Sequence, residues 1–256
     1  MNKSLQGKVA LVTGARAGLG AATVLALAEL GATVIASGRK AGDCTEVVAA
    51  VVAKGGKASE LVLDVGDLAA IPARAAAALA LHGRIDILVN NAATIEPMAR
   101  LGALDPLAFD RSLTVNVSGP AALVAALWPA LKGGRVVNVV SGAANHAMSG
   151  WSAYCAGKAA LLMLTRSIEL EGTEIGLRGF AFAPGLVDTD MQASIRAAKI
   201  NQISDVPREN LQPPQRPARV IAWLATGAAD DLAGQYVDIR QEGLMERVGA
   251  ASSGST

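Results

Sequence analysis

The stretch Lys8-Val9-Ala10-Leu11-Val12-Thr13-Gly14-Ala15-Arg16-Ala17-Gly18-Leu19-Gly20 decides the fold. The apolar run at its start reads as a buried strand, and it breaks into a turn carrying three glycines. A helical pattern follows over 21–30 and stops at Gly31, and Ala32-Thr33-Val34-Ile35-Ala36-Ser37 reads as a second strand. Strand, glycine turn, helix and strand within some thirty residues make a βαβ unit. The turn has a specific chemistry. Glycines permit positive φ and let the backbone approach a pyrophosphate, and the free N–H groups at the helix start face its negative charge.

The alternation continues along the chain. Helices are expected over 43–54, 67–81, 107–131 and 152–171. Strands are expected over 58–63, 85–89, 135–140, 177–183 and 235–239. Strands alternating with helices imply a parallel sheet with right-handed crossovers. Hydrophobic residues make up 52% of the 256 and aromatics only 3%, so the core is built from Ala, Val, Leu and Gly. That suits helices packed on both faces of a doubly wound α/β sheet. One domain is expected over 1–248, with a disordered tail over 249–256. The segment 190–217 breaks the alternation, is rich in proline towards its end, and follows a strand end where such sheets bind ligands. It reads as a substrate lid.

Other functions are excluded by composition. The net charge is +1 with no basic cluster, so nucleic acid is not an expected partner. Cys44 and Cys155 have neither disulfide nor metal-ligand spacing, and His82 and His146 form no zinc motif. The uncharged run 112–131 contains Asn116, Gly119, Pro120 and Pro129, so it reads as a buried helix rather than a membrane span. Residues 1–8 are polar and do not read as a secretion signal. A cytoplasmic protein is expected.

The second informative stretch runs from Ser141, directly after the fifth strand, to Trp151-Ser152-Ala153-Tyr154-Cys155-Ala156-Gly157-Lys158. Tyr154 and Lys158 are four apart and share a helix face. A free phenol has a pKa of about 10, and bringing it near neutrality takes roughly 4 kcal/mol at about 1.36 kcal/mol per unit. An exposed ion pair gives at most about 1 kcal/mol. The pair must therefore sit in a partly dry cleft beside further positive charge, which an oxidised nicotinamide ring would supply. An ordinary amphipathic helix that happens to carry Tyr and Lys is the competing reading, and only the rest of the chain overturns it.

With these pieces together, the chain resembles the short-chain dehydrogenase/reductase family over nearly its whole length. The matching motifs are Thr13-Gly14-Ala15-x-x-Gly18-x-Gly20, Asp64 after the third strand, Asn90-Asn91-Ala92, Asn116, Ser141, Tyr154-x-x-x-Lys158 and Pro184-Gly185-x-x-x-Thr189. The resemblance implies a Rossmann-type sheet of seven strands in the order 3-2-1-4-5-6-7. It implies that Tyr154 exchanges the proton with the substrate oxygen and that Lys158 lowers the Tyr154 pKa and binds the nicotinamide ribose. Ser141 would donate a hydrogen bond to the substrate oxygen, and Asn116 would hold a water that relays protons to Lys158. Gly14, Arg16, Gly18, Leu19, Gly20, Arg39, Asp64, Val65, Asn90, Ala92, Pro184, Gly185, Val187 and Thr189 would surround the dinucleotide. Ala143, His146, Trp151, Gly185 and Met191 would join Ser141 and Tyr154 around the substrate. Relatives pair the helices corresponding to 107–131 and 156–170, which implies a homodimer or homotetramer.

Ala93 stands where the family usually has Gly, and the paired glycines that often follow the last strand are missing after Tyr236-Val237-Asp238. Pro184 to Gln192, with Val237-Asp238, is similar to the sepiapterin and benzil reductase branch. There an acid near the last strand binds substrate, although Asp238 reads equally as a structural strand-end acid.

NAD-selective sites end the second strand with an acid for the ribose 2′-hydroxyl. Here that position is Gly38 and Arg39 follows, whose planar fork can bind a 2′-phosphate. NADP(H) is therefore favoured over NAD(H). The function expected is reversible reduction of a ketone or aldehyde of a small molecule. An NAD-dependent alcohol dehydrogenase, or a non-catalytic nucleotide sensor on the same fold, are the alternatives.

Overall fold

The computed structural model describes residues 3–253. Seven strands form one parallel sheet in the order β3-β2-β1-β4-β5-β6-β7, as the family resemblance implied. They are β1 (Val9–Val12), β2 (Thr33–Gly38), β3 (Lys57–Val62), β4 (Ile87–Asn90), β5 (Arg135–Val139), β6 (Arg178–Ala183) and β7 (Tyr236–Asp238). The register is even across the centre, with Leu11 opposite both Ile35 and Leu88. The order reverses between β1 and β4, so a crevice opens beyond their carboxyl ends, the place where open α/β sheets bind ligands.

The strands are buried on both faces because alternate residues enter different cores. Ala10, Val12, Val34, Ala36, Val137 and Phe182 point to one side. There α1 (Gly18–Glu29), α2 (Thr45–Ala53), α8 (Gln215–Leu224) and α9 (Leu244–Ser253) pack on them. Val9, Leu11, Ile35, Leu88 and Val136 point to the other side. They meet α3 (Ile71–His82), α5 (Gly119–Leu127) and α6 (Ser152–Gly172). Helix α1 is apolar nearly all round because it is sandwiched between the sheet and α8.

The long helix expected over 107–131 is divided. α4 (Pro106–Leu113) is capped by the Asp105 carboxylate, which accepts from the amides of Leu107 and Ala108. A π turn then spans Thr114–Ser118 before α5 begins. Pro120 has no N–H for the carbonyl of Asn116 four residues back, so a regular α-helix does not run through this point. Among the described residues no helix is long and apolar enough to cross a membrane.

Two other expectations are corrected. The segment 190–217 is not wholly irregular: α7 (Asp190–Ala198) opens it, short turns follow, and α8 starts within it. α7 buries only Gln192 and Ile195, one narrow edge, so its sequence is polar enough to read as a loop. In α8 the prolines 213, 214 and 217 lie before or within the first turn, where a missing N–H costs nothing. The tail expected to be disordered from 249 is helical to Ser253 as the end of α9, which anchors Leu244 and Val248 in the core. Residues 254–256 of that tail lie outside the described residues.

Candidate active site

A cleft of about 1200 Å³ runs along the carboxyl ends of the strands. Each of the strands β1 to β6 delivers one part of it. After β1 come Gly14, Arg16, Gly18, Leu19 and Gly20; β2 ends in Gly38 and Arg39; β3 is followed by Asp64 and Val65. Ala92 follows β4, Ser141 follows β5, and Pro184, Gly185, Val187 and Thr189 follow β6. Met191 of α7, Trp151 just before α6, and Tyr154 and Lys158 of α6 join the wall.

The glycine turn has the shape of a cradle. Gly14 has φ +64°, and a Cβ added to Gly20 would lie 2.1 Å from the Gly14 carbonyl oxygen. Only glycines let the chain fold this tightly and leave its backbone N–H groups facing the cleft at the start of α1. The residues present therefore fit a dinucleotide. Thr13 and Asn91 hold the turn against β4. The Thr13 hydroxyl accepts from the amides of Asn91 (3.0 Å) and Ala92 (3.1 Å). The Asn91 side-chain amide donates to the carbonyls of Thr13 (2.9 Å) and Gly14 (3.2 Å).

Tyr154 and Lys158 lie one turn apart on the buried face of α6, 7% and 2% exposed. The Lys158 ammonium is 5.6 Å from the centre of the Tyr154 ring and donates to the Val139 carbonyl at 2.7 Å. Trp151 meets Tyr154 edge to face, with ring centres 5.9 Å apart. The Ser141 hydroxyl accepts from the Ala143 amide at 3.2 Å. Helix α6 is docked by a buried polar chain: Asn90 donates to Asn138 (2.8 Å), Asn138 to Thr165 (2.9 Å), and Thr165 to the Leu161 carbonyl (2.8 Å).

The electrostatics differ from the expectation for the pair alone. Burial pushes the Tyr154 phenol up to about 12, the Ser141 hydroxyl pulling the other way. Burial also draws Lys158 down to about 8. Burial, which disfavours the charged form of each group, sets the direction of both shifts.

Four other expected residues are placed differently, and the two readings of Asp238 are told apart. Asn90 is not on the cleft wall: it is the last residue of β4, 2% exposed, and its side-chain nitrogen donates to Asn138. Its neighbour Asn91 takes the wall position. Asn116 is 1% exposed and its amide is consumed by Thr94 and Ser112. It clamps the loop after β4 and leaves no side-chain donor for a relay water. Ala143 is packed in the small core that contains Ile95, Trp151 and Tyr154. His146 is exposed and off the wall. Asp238 is also off the wall. Its carboxylate accepts from the Tyr236 hydroxyl and from the Arg240 backbone and guanidinium, which holds it below the usual carboxylate range, so the strand-end reading is the one realised.

Arg16 reaches the wall and pairs at 3.3 Å with Asp190 at the start of α7, both side chains well exposed. Asp43 on the wall near Gly38 was not anticipated. Its signal was the gap left by glycine at the strand end, which a nearby side chain can fill.

Fold and cleft together define an oxidoreductase that uses a nicotinamide dinucleotide. The family model for short chain dehydrogenase matches residues 8–200. The chain is 36% identical over 245 residues to the cis-4-hydroxycyclohexanecarboxylate dehydrogenase of Sinomonas cyclohexanicum, covering 93% of this chain and 97% of that one. Among solved structures it is similar to a gluconate 5-dehydrogenase from Burkholderia cenocepacia in complex with NADP and tartrate. The TM-score is 0.84 and the identity 26%, with 96% of this chain and 98% of that chain covered. It is also similar to an NAD+-bound xylitol dehydrogenase, with TM-score 0.84 and 27% identity over 92% and 98% of the two chains. The chain belongs to the short-chain dehydrogenase/reductase family and is an NAD(P)-dependent oxidoreductase acting on CH–OH or C=O groups.

Proposed function

We propose that the protein reversibly reduces a ketone or aldehyde of a small molecule with NADP(H), through Ser141, Tyr154, Lys158 and Asn116. The observation that carries this reading is the buried Tyr154–Lys158 pair facing the same cleft as Ser141 and the glycine turn. A bound nicotinamide cofactor supplies the hydride and, in its oxidised form, the positive charge that the phenol lacks. Tyr154 holds the proton that the substrate oxygen takes on reduction, and removes it in the reverse direction. Ser141 orients that oxygen and donates to it as charge develops. Lys158, anchored on Val139, keeps a cation beneath the phenol ring. Asn116 acts through structure, tying the loop after β4 to the π turn.

Arg39 at the end of β2 supports NADP(H), and a similar structure holds NADP. The carboxylate of Asp43 at the same end, and the NAD+ bound in the xylitol dehydrogenase, favour a second reading with NAD(H). The chain through α9 serves as one catalytic unit, with α7 and the turns leading to α8 as the lid and Arg16–Asp190 bridging lid and glycine turn. The exposed Leu107, Met163 and Leu170 on α4 and α6 support a homodimer or homotetramer. The free thiols Cys44 and Cys155 suit the reducing cytoplasm.

The test is Tyr154→Phe, which keeps the ring packing against Trp151 and removes only the hydroxyl. Turnover of any accepted carbonyl substrate should fall roughly 10²–10⁴-fold, while cofactor binding by fluorescence titration stays within a few-fold. Unchanged turnover would sink the assignment.

A further inference from the structure

Gly38 ends β2, and a Cβ built on it would lie 2.4 Å from Cβ of Asp43. The Asp43 side chain therefore occupies the space that a side chain at the strand end would fill. Its carboxylate is held there: Oδ2 accepts from the Lys40 amide at 3.0 Å, closing the turn that follows the strand. Asp43 is half-buried, and it lines the cleft together with Gly38 and the exposed Arg39. Dinucleotide sites on this type of sheet read the ribose 2′ position with an acid about 20 residues beyond the glycine turn, or with an arginine nearby for a 2′-phosphate. This chain presents both charges at that one place.

We infer that Asp43, folded into the gap left by Gly38, is a specificity-determining residue that opposes Arg39 and holds down the affinity for a 2′-phosphate. The inference rests on the nicotinamide dinucleotide reading of the cleft and refines its cofactor preference. A carboxylate can accept a hydrogen bond from a ribose 2′-hydroxyl, and it repels a 2′-phosphate. Arg39 does the opposite. The balance between them, rather than Arg39 alone, sets the ratio of NADP to NAD binding. Lys40 gives its backbone amide to fix Asp43 and, with its exposed side chain, adds to the positive side.

The test uses the whole enzyme and calorimetric titration with 2′,5′-ADP and 5′-AMP, probes that differ only in the 2′-phosphate, followed by NADP+ and NAD+. Asp43→Asn keeps an acceptor for the Lys40 amide and removes the charge. It should tighten 2′,5′-ADP roughly ten-fold, the scale of one like charge near another at a partly exposed site, and leave 5′-AMP within about two-fold. NAD+ should weaken several-fold, and Asp43→Ala should move both ratios in the same direction. An unchanged ratio of 2′,5′-ADP to 5′-AMP affinity in both variants overturns the inference. Failure of the wild type to bind either probe overturns it together with the nucleotide reading. The NADP(H) preference is judged separately. A wild type that binds NAD+ more tightly than NADP+ refutes that preference, while a shifted ratio in Asp43→Asn still supports the role of Asp43.

Discussion

Replacing Lys158 with methionine separates what the buried ammonium costs the fold from what it contributes to the reaction. Lys158 is 2% exposed, and burial lowers its pKa from the ordinary 10.5 to about 8. At about 1.36 kcal/mol per unit, keeping the charged form buried costs on the order of 3 kcal/mol. The sign follows from proton linkage. Between the folded value near 8 and the unfolded value near 10.5, the unfolded chain binds more protons, so the wild type gains stability as pH rises through that window. Below pH 8 the lysine is charged in both states and the full cost is present. Above about 10.5 it is neutral in both and the cost is gone. Methionine has about the same length and no charge, and lacks the gain. At neutral pH it also forfeits the bond to the Val139 carbonyl at 2.7 Å, worth about 1.5–3 kcal/mol for a charged donor. The offset between the two proteins at pH 7 is therefore small, whereas its change with pH is not. Urea unfolding of both proteins at fixed concentration, from pH 7 to 11, should show the difference in unfolding free energy moving by about 3 kcal/mol in favour of the wild type. Tyr154 and Cys44 also titrate in this range, but they are common to both proteins and cancel. Turnover of the methionine variant should fall at least roughly 10²-fold at every pH. Parallel stability curves would refute the claim that Lys158 is buried as a strained cation.

Two further substitutions probe the frame of the cleft. Gly20→Ala places a Cβ 2.1 Å from the Gly14 carbonyl and 2.7 Å from the Asn91 side-chain amide, so the turn must open. Unfolding free energy should drop by about 1–3 kcal/mol, and NADP+ titration should show cofactor binding weakened far more than a distant core change would weaken it. Asn116→Ala leaves both the N–H and the carbonyl of Thr94 without their partner at 3.1 and 2.9 Å. The expected cost in chemical denaturation is about 2–3 kcal/mol, with kcat falling more than the cofactor Kd changes, because the loop after β4 is loosened while the glycine turn is not.

Much of this architecture was legible in the chain. The short continuous runs of Val, Ile, Leu and Ala announced the strands, since a strand buried on both faces leaves little room for polar residues. The glycine turn and the Tyr154–Lys158 spacing are local geometry and needed no partner to be read. The helices α7 and α8 were harder. One is too polar for its single buried edge to stand out, and the other hides behind prolines that sit harmlessly in its first turn. The split of 107–131 was visible only as an awkward Gly119-Pro120. A π turn accommodates it, and within that turn Asn116 bonds Thr94.

By itself, then, the chain determined the order of elements, the βαβ unit, and which face of α6 carries the phenol and the ammonium, all consequences of repeat and spacing. Which of two adjacent asparagines faces the cleft, that His146 stands in solvent, that Asp238 binds Arg240, and that Asp43 fills the space at Gly38 were decided only by tertiary structure. So was the direction in which Tyr154 and Lys158 are shifted. Some of these depend on contacts between residues far apart in the chain, others on how a local turn is folded against the sheet, and all on exclusion of water. A short stretch of sequence carries none of this until the sheet and its helices have closed around it.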